Sequence, residues 1–111
     1  MQKNTKFTVY WTKTAQKDLA GIIDYISKDS VEKALKVFEK LKKVAQDLDN
    51  FPYRGRIVPE LKYHNIESYR ELIISPWRII YRVEDEKIFI LAVFDGRRNF
   101  EDILLERFMK R

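Results

Sequence analysis

The spacing of apolar and polar positions changes several times along this chain, and each change predicts a new element of secondary structure. From Lys6 to Trp11 apolar and polar residues alternate, which is typical of a half-buried β-strand. A helix is predicted next, capped by Thr12 or Thr14, with an apolar stripe from Ala15 to Ile26. Ser30 can cap a second amphipathic helix. The short polar joint between the two helices predicts a helical hairpin.

The second half of the chain is predicted to be mainly extended. After a turn-rich connector from Phe51 to Ser68, three strands are predicted, at Tyr69–Ile74, Trp77–Val83 and Lys87–Phe94. Their short connections predict an antiparallel meander, and the last strand, apolar on both faces, is expected inside the sheet. Asn99 can cap a final helix. An apolar stripe follows along that helix, at Phe100, Ile103, Leu104 and Phe108.

This order predicts an α+β fold in which residues 1–111 form one domain. The N-terminal strand joins a small, mainly antiparallel sheet, the helical hairpin covers one face of it, and a C-terminal helix ends the chain. Apolar residues make up 45% of the sequence, enough for a core without disulfides, and there is no cysteine. No apolar run is long enough to span a membrane. We therefore expect a cytoplasmic protein without membrane contact.

Charge gives the first indication of function. The net charge is +5, and the basic residues of the second half are mainly arginines, whose planar guanidinium suits phosphate and carboxylate. In the strand WRIIYRV, Arg78 and Arg82 share a face with Ile80, which we expect to be the face that the helices leave uncovered. Other arginines are expected to converge there, although each could instead pair with a neighbouring carboxylate. The predicted binding set for a target or a nucleic acid is Arg70, Arg78, Arg82, Arg97 and Arg98.

Other chemistries receive little support from the sequence. His64 is the only histidine, and with no cysteine beside it a zinc site or a histidine-dependent serine triad is not expected. The acidic residues form no convincing metal cluster, and there is no glycine-rich phosphate loop. We predict neither metal nor cofactor. The connector FPYRGRIVPEL is expected to be structural, with its aromatic side chains packed as a lid.

The connector, the strands YRELII and WRIIYRV, and the segment FDGRRN together resemble the RelE/ParE superfamily of toxins from type II toxin–antitoxin modules. The resemblance implies a toxin that is held inactive by a cognate antitoxin. It also implies one of two activities. RelE-like members cut mRNA in the ribosome, using basic side chains to stabilise the charge on phosphorus, whereas ParE-like members poison DNA gyrase and are not nucleases.

The match to the nuclease pattern is incomplete. Arg78 occupies the position of the arginine that contacts the scissile phosphate in nucleolytic members, and Arg97 or Arg98 matches the basic residue after the last strand. Leu72 stands where such nucleases can carry a lysine, and neither tyrosine nor histidine follows Arg98. The sequence therefore favours a ParE-like toxin acting on gyrase. The alternatives are a RelE-like mRNA interferase, with Arg78 and Arg98 as catalytic residues and the ribosome and mRNA as partners, and a non-toxic nucleic-acid-binding or interaction domain.

The antitoxin should bind where apolar and basic side chains mix. We expect Ile74 and Ile80 to lie beside the arginines on the uncovered face, where an acidic, apolar-studded peptide would fold as it binds. The final helix either packs on its own sheet or completes this interface. The predicted antitoxin-binding residues are Ile74, Ile80, Phe100 and Leu104.

Overall fold

The computed structural model describes residues 6–104 and Arg107, and it has the predicted α+β architecture. Two short elements, β2 and α3, lie in the connector that the sequence predicted only as turns. The prediction of an apolar Phe108 in the final helix falls outside the described residues. The elements in chain order are β1 (Thr8–Trp11), α1 (Lys13–Ser27), α2 (Val31–Gln46), β2 (Arg56–Ile57), α3 (Pro59–Lys62), β3 (Arg70–Ile74), β4 (Trp77–Glu84), β5 (Lys87–Asp95) and α4 (Phe100–Leu104).

The strands form one five-stranded sheet in the order β1-β5-β4-β3-β2. The meander β3-β4-β5 is antiparallel, as predicted. β1 and β2 are the two edge strands of the sheet; β1 pairs with β5 in parallel, and β2 pairs with β3 in antiparallel. β5 is therefore an interior strand, which explains why its sequence is apolar on both faces.

The helical hairpin covers one face of the sheet, as predicted. The hydroxyl of Thr12 accepts a hydrogen bond from the backbone N–H of Ala15, and Ser30 caps α2 through the N–H of Lys33 in the same way. Ile79 and Tyr81 of β4 are fully buried among the apolar side chains of both helices. The rest of this core comes from the stripes that the sequence pattern indicated.

The second face of the sheet, opposite α1 and α2, is not bare. The segments at α3 and α4 fold across it and bury Ile80, which is only 2% exposed. The ring of Phe100 packs against that of Phe94 of β5 at a tilt of 35°, with ring centroids 5.4 Å apart. The expectation of an uncovered face is therefore wrong around Ile80. The expectation failed because the connector was treated as turns only. Val58 and Leu61 of the connector are apolar and pack over Ile80.

The edge of β5 beyond the end of β1 is closed by a side chain. β1 pairs with β5 only as far as Trp11 and Ile90, so no strand within residues 6–104 lies beside the next N–H groups on this edge of β5. Asp18 of α1 accepts a hydrogen bond from the N–H of Val93 at 3.0 Å. Its carboxylate also accepts two hydrogen bonds from Arg107, at 2.8 and 3.0 Å, which tie Arg107 to α1. Among the described residues no helix is long and apolar enough to cross a membrane.

Candidate functional site

Arg78 lies at the centre of a buried ionic network on the second face of the sheet. Its Nε donates to Glu71 at 2.6 Å, and its two terminal nitrogens donate to the carboxylate of Glu60 at 2.9 and 3.1 Å. Glu71 is itself 1% exposed and also accepts a hydrogen bond from Arg56 Nε at 2.7 Å. Residues of β2, α3, β3 and β4 therefore meet in one network.

The aromatic rings of Phe94 and Phe100 cover the Arg78 guanidinium, at 5.5 and 4.5 Å from their centroids. Arg78 is 8% exposed, and most of its N–H donors are taken by two carboxylates. Burial lowers the pKa of Arg78, but the hydrogen bonds to Glu60 and Glu71 outweigh burial and raise it overall. A guanidinium neutralised in this way has little positive potential left to offer a phosphate.

Acidic pH should loosen this network through Glu60. Hydrogen bonding by Arg78 holds the pKa of Glu60 below its ordinary value of 4.5. A carboxyl with a depressed pKa in the folded state contributes stability above its unfolded pKa and loses it as the pH falls through the folded pKa. We expect the melting temperature to fall below about pH 4.5, and to fall less in Glu60→Gln. Melting curves recorded from pH 6 to pH 2.5 test this, and parallel profiles for the two proteins would contradict it.

Arg70 and Arg82 lie away from Arg78. Arg70 is paired with Tyr81 across the strands, which places its side chain on the helix side of the sheet, opposite to Arg78. There its guanidinium donates to the carbonyl of Gly55 at 2.7 Å and lies over the ring of Tyr53. Arg82 lies on the second face, as predicted, but near the C-terminal end of β4, where it forms a salt bridge with Glu84. The predicted convergence of Arg70, Arg78 and Arg82 is therefore wrong.

Arg97 and Arg98 follow β5, as the sequence predicted, and both residues are exposed. Arg97 forms a bidentate ion pair with Asp95, and this hydrogen bond lowers the pKa of Asp95 to about 2. The side chain of Arg98 is exposed and has no hydrogen bond or salt bridge within residues 6–104 and Arg107. Both arginines border a cleft between α1 and the end of β5, where Tyr25 of α1 is 76% exposed.

The four residues predicted to bind an antitoxin are mostly buried in the folded chain. Ile74 lies on the same face of β3 as Leu72 and packs in the core beneath the helical hairpin. The expectation that it lies beside the arginines is therefore wrong. Ile80 and Phe100 are buried on the second face, and Leu104 is half-buried against them. The final helix packs on its own sheet, which was one of the two possibilities left open.

Sequence reasoning missed several features of the surface. Glu60 was not recognised as a partner of Arg78, because their contact depends on the fold of the connector, whereas pairing with a neighbouring carboxylate such as Glu71 had been left open. Phe51 and Tyr53 were expected to pack as a lid but are 63% and 59% exposed. Tyr25 and Gly21 of α1, which border the same cleft as Arg98, were not singled out. No group of acidic, histidine or cysteine side chains that could hold a metal ion occurs in the described part of the chain.

A sheet of this topology, with a helical hairpin on one face and arginines after its last strand, is the architecture expected of the RelE/ParE superfamily that the sequence resembles. The family model described as the ParE toxin of the type II toxin–antitoxin system parDE matches residues 9–100. The chain therefore belongs to the ParE toxin family.

The similar proteins include one named as a ParE toxin and one named as a RelE toxin. Toxin ParE3 of Caulobacter vibrioides is 28% identical over 86 residues, covering 73% of this chain and 82% of the relative. Toxin RelE2 of the same organism is 34% identical over 91 residues, covering 81% of this chain and 96% of the relative. The class is thus a type II toxin, and the two names leave the molecular target open.

Solved structures support the fold assignment. A chromosomal ParDE toxin–antitoxin system from P. aeruginosa superimposes with a TM-score of 0.67 at 26% identity, covering 82% of this chain and 97% of that chain. The toxin–antitoxin complex RelBE2 from Mycobacterium tuberculosis gives a TM-score of 0.61 at 24% identity, covering 86% and 97%. Both neighbours come from toxin–antitoxin systems, and both share the fold of this chain.

Proposed function

We propose that this toxin inhibits DNA gyrase and does not cut mRNA. The observation that carries the proposal is the state of Arg78, the arginine that a RelE-like nuclease would place on the scissile phosphate. Its donors are engaged by Glu60 and Glu71, and its guanidinium lies under the ring of Phe100. Contact with an RNA phosphate would require opening a buried ionic network, which is costly.

The side chains available for proton transfer also support gyrase inhibition over mRNA cleavage. General acid–base catalysis needs a titratable side chain within reach of the reacting oxygen. The sequence offers neither tyrosine nor histidine after Arg98, and His64 lies in the loop that follows α3, where its ring contacts Tyr63. A toxin that acts by binding needs no such group, whereas exposed arginines such as Arg97 and Arg98 suit a protein or DNA target.

mRNA cleavage is the second candidate function, because two observations favour it. The relative named Toxin RelE2 is 34% identical to this chain over 91 residues. The exposed phenol of Tyr25 also lies on the same cleft as Arg97 and Arg98, where it could replace the missing C-terminal ring. Both functions predict growth arrest, so the assay must separate the targets.

The first test is a gyrase supercoiling assay run beside an in vitro translation assay with the same purified chain. We expect loss of supercoiling, accumulation of gyrase–DNA cleavage complexes, and full-length mRNA. Cuts in mRNA at fixed codon positions, with supercoiling unaffected, would overturn the proposal in favour of the nuclease. A folded chain that affects neither assay nor growth would favour the non-toxic interaction domain.

A second test asks whether Arg78 acts on the target or only holds the fold. Arg78→Ala alone is uninformative, because it leaves the buried Glu71 with Arg56 as its remaining partner and is expected to destabilise the chain strongly. We expect the double variant Arg78→Met/Glu71→Leu to fold and to retain gyrase inhibition within about threefold, because removing both charges of a buried pair is often neutral. Circular dichroism confirms folding, and a folded double variant without gyrase inhibition would show that Arg78 takes part in activity.

A further inference from the structure

The guanidinium of Arg78 and the carboxylate of Glu60 meet in the paired geometry that arginine also uses to bind phosphate. Each terminal nitrogen of Arg78 donates to one oxygen of Glu60, at 2.9 and 3.1 Å. A guanidinium binds carboxylate and phosphate through the same pair of parallel hydrogen bonds, because each group presents two oxygens to its planar fork. Glu60 therefore occupies the position on Arg78 that a phosphate ligand would take.

The two carboxylate partners of Arg78 differ in their access to solvent. Glu71 comes from the interior of β3, its side chain is fully buried, and it accepts the hydrogen bond from Arg78 Nε. Glu60 comes from the four-residue helix α3, and its side chain is 33% exposed. Of the two carboxylates, Glu60 is thus the one that a ligand arriving from solvent would meet and replace.

The charges around Glu60 would attract an anion if its carboxylate were removed. Two arginines and two glutamates form the network, so their formal charges cancel. Arg56 gives its Nε to Glu71, while its terminal nitrogens form no hydrogen bond with residues 6–104 and its side chain is 60% exposed. The positive charge of Arg56 also helps to lower the pKa of Glu60, which shows that the two side chains interact. Without the Glu60 carboxylate, two guanidiniums would share one remaining carboxylate.

We propose that the Glu60 carboxylate substitutes for a phosphate and closes a phosphate-binding site formed by Arg56 and Arg78, so that a nucleic-acid phosphate binds there once this carboxylate is removed. The inference rests on the proposed function, because it names the group that separates this toxin from a nuclease. Glu71 stays in place and keeps the buried charge of Arg78 paired when the site is open. The site is therefore closed by one side chain of α3.

The packing of α3 explains why the site stays closed in the free chain. Val58 and Leu61, on either side of Glu60, are buried against the sheet together with Ile80. They hold the Glu60 carboxylate beside Arg78, so a dissolved anion must compete with a group of high effective concentration. Replacing Glu60 alone leaves both apolar contacts intact. The substitution should therefore open the site without displacing α3.

The first test measures binding of inorganic phosphate to the full chain by calorimetry at pH 7, with folding checked by circular dichroism. We expect Glu60→Ala to bind phosphate at least about tenfold more tightly than the wild type. Glu60→Gln keeps the volume and removes the charge, so its gain should be about threefold. The matched control is Glu84→Ala, which makes the same charge change beside the exposed Arg82 and should stay within about twofold of wild type.

The second test asks which groups bind and whether a nucleic acid can use them. Glu60→Ala/Arg56→Gln should lose about three- to tenfold of the phosphate affinity gained by Glu60→Ala, because one guanidinium is gone. A fluorescently labelled single-stranded RNA should bind Glu60→Ala about tenfold more tightly than Glu84→Ala, although both variants have the same net charge. A gain for free phosphate without a gain for RNA would overturn the nucleic-acid part of the inference.

The outcomes separate this inference from the proposed function. Unchanged phosphate affinity in folded Glu60→Ala and Glu60→Gln would overturn the inference, whereas gyrase inhibition by the wild type would still support the proposed function. Unfolding of both variants would also overturn it, since Glu60 would then be a structural partner of Arg78. Cuts in mRNA by the wild type would overturn the proposed function, and tighter phosphate binding by Glu60→Ala would still support the closed site.

Discussion

Replacing Glu71 by glutamine should destabilise the chain by about 3–5 kcal/mol, the usual cost of removing one partner of a buried ion pair. Glu71 accepts hydrogen bonds from Arg56 and Arg78, and its side chain is fully buried. Glutamine fits the same space, but it offers one acceptor oxygen and places its NH₂ group against guanidinium donors. The charge on Arg78 then stays buried with only Glu60 opposite it.

A loss of this size is a large share of the stability of a small domain, which is about 5–15 kcal/mol. We expect the melting temperature to fall by roughly 10–30 °C and the urea midpoint to fall in proportion. Thermal unfolding followed by circular dichroism at pH 7 measures the first effect. Because α3 is held to the sheet partly through Glu60 and Arg78, hydrogen exchange should also accelerate in the segment around Val58 and Leu61.

The matched control is Glu84→Gln, which makes the same chemical change in an exposed pair. Arg82 and Glu84 form a salt bridge of 3.2 Å with side chains 39% and 60% exposed, so its loss should cost about 0–1 kcal/mol. Equal destabilisation by Glu71→Gln and Glu84→Gln would show that burial does not strengthen the network. It would also remove the physical argument that Arg78 is committed to the fold.

The sequence predicted the fold well because its signals are local. Alternation in β1, the caps Thr12 and Ser30, and the stripes of α1 and α2 all depend on neighbouring residues. The same reasoning failed in the connector. Val58 and Leu61 sit among turn residues with no period to identify them, and their burial depends on where β3 and β4 bring Ile80.

The candidate site was harder to predict than the fold, for a physical reason. Alternation along a strand places Arg78 on the second face, and the structure agrees, but alternation says nothing about what covers that face. Glu60 lies 18 positions away in the sequence and reaches Arg78 only after the connector has folded. Arg70 was expected beside Arg78, but the register of β3 against β4 pairs it with Tyr81 and so turns it to the opposite side. Arg97 and Arg98 were expected to converge with Arg78 on the uncovered face, but they border the cleft between α1 and the end of β5.

Replacing Gly55 by alanine should destabilise the chain by about 3 kcal/mol, through crowding and the loss of a buried hydrogen bond. A Cβ at Gly55 would lie 2.5 Å from the backbone oxygen of Glu71 and 2.7 Å from the hydroxyl of Tyr81. Neither can retreat, since Glu71 belongs to the interior of β3 and Tyr81 is fully buried. The loop must therefore move away from the sheet. That movement breaks the 2.8 Å hydrogen bond from the Gly55 N–H to Tyr81 and the 2.7 Å bond from Arg70 to the Gly55 carbonyl.

Gly21→Ala is the matched control, and its expected effect has the opposite sign. The added methyl group meets nothing within 4 Å in the exposed middle of α1, so alanine should stabilise the free chain by about 0.5–1 kcal/mol through its higher helix propensity. Urea denaturation of the two variants at the same pH measures both effects. Equal and small changes at both positions would contradict the close packing of Gly55 against β3 and β4. Destabilisation by Gly21→Ala would mean that the folded chain itself needs glycine in the middle of α1.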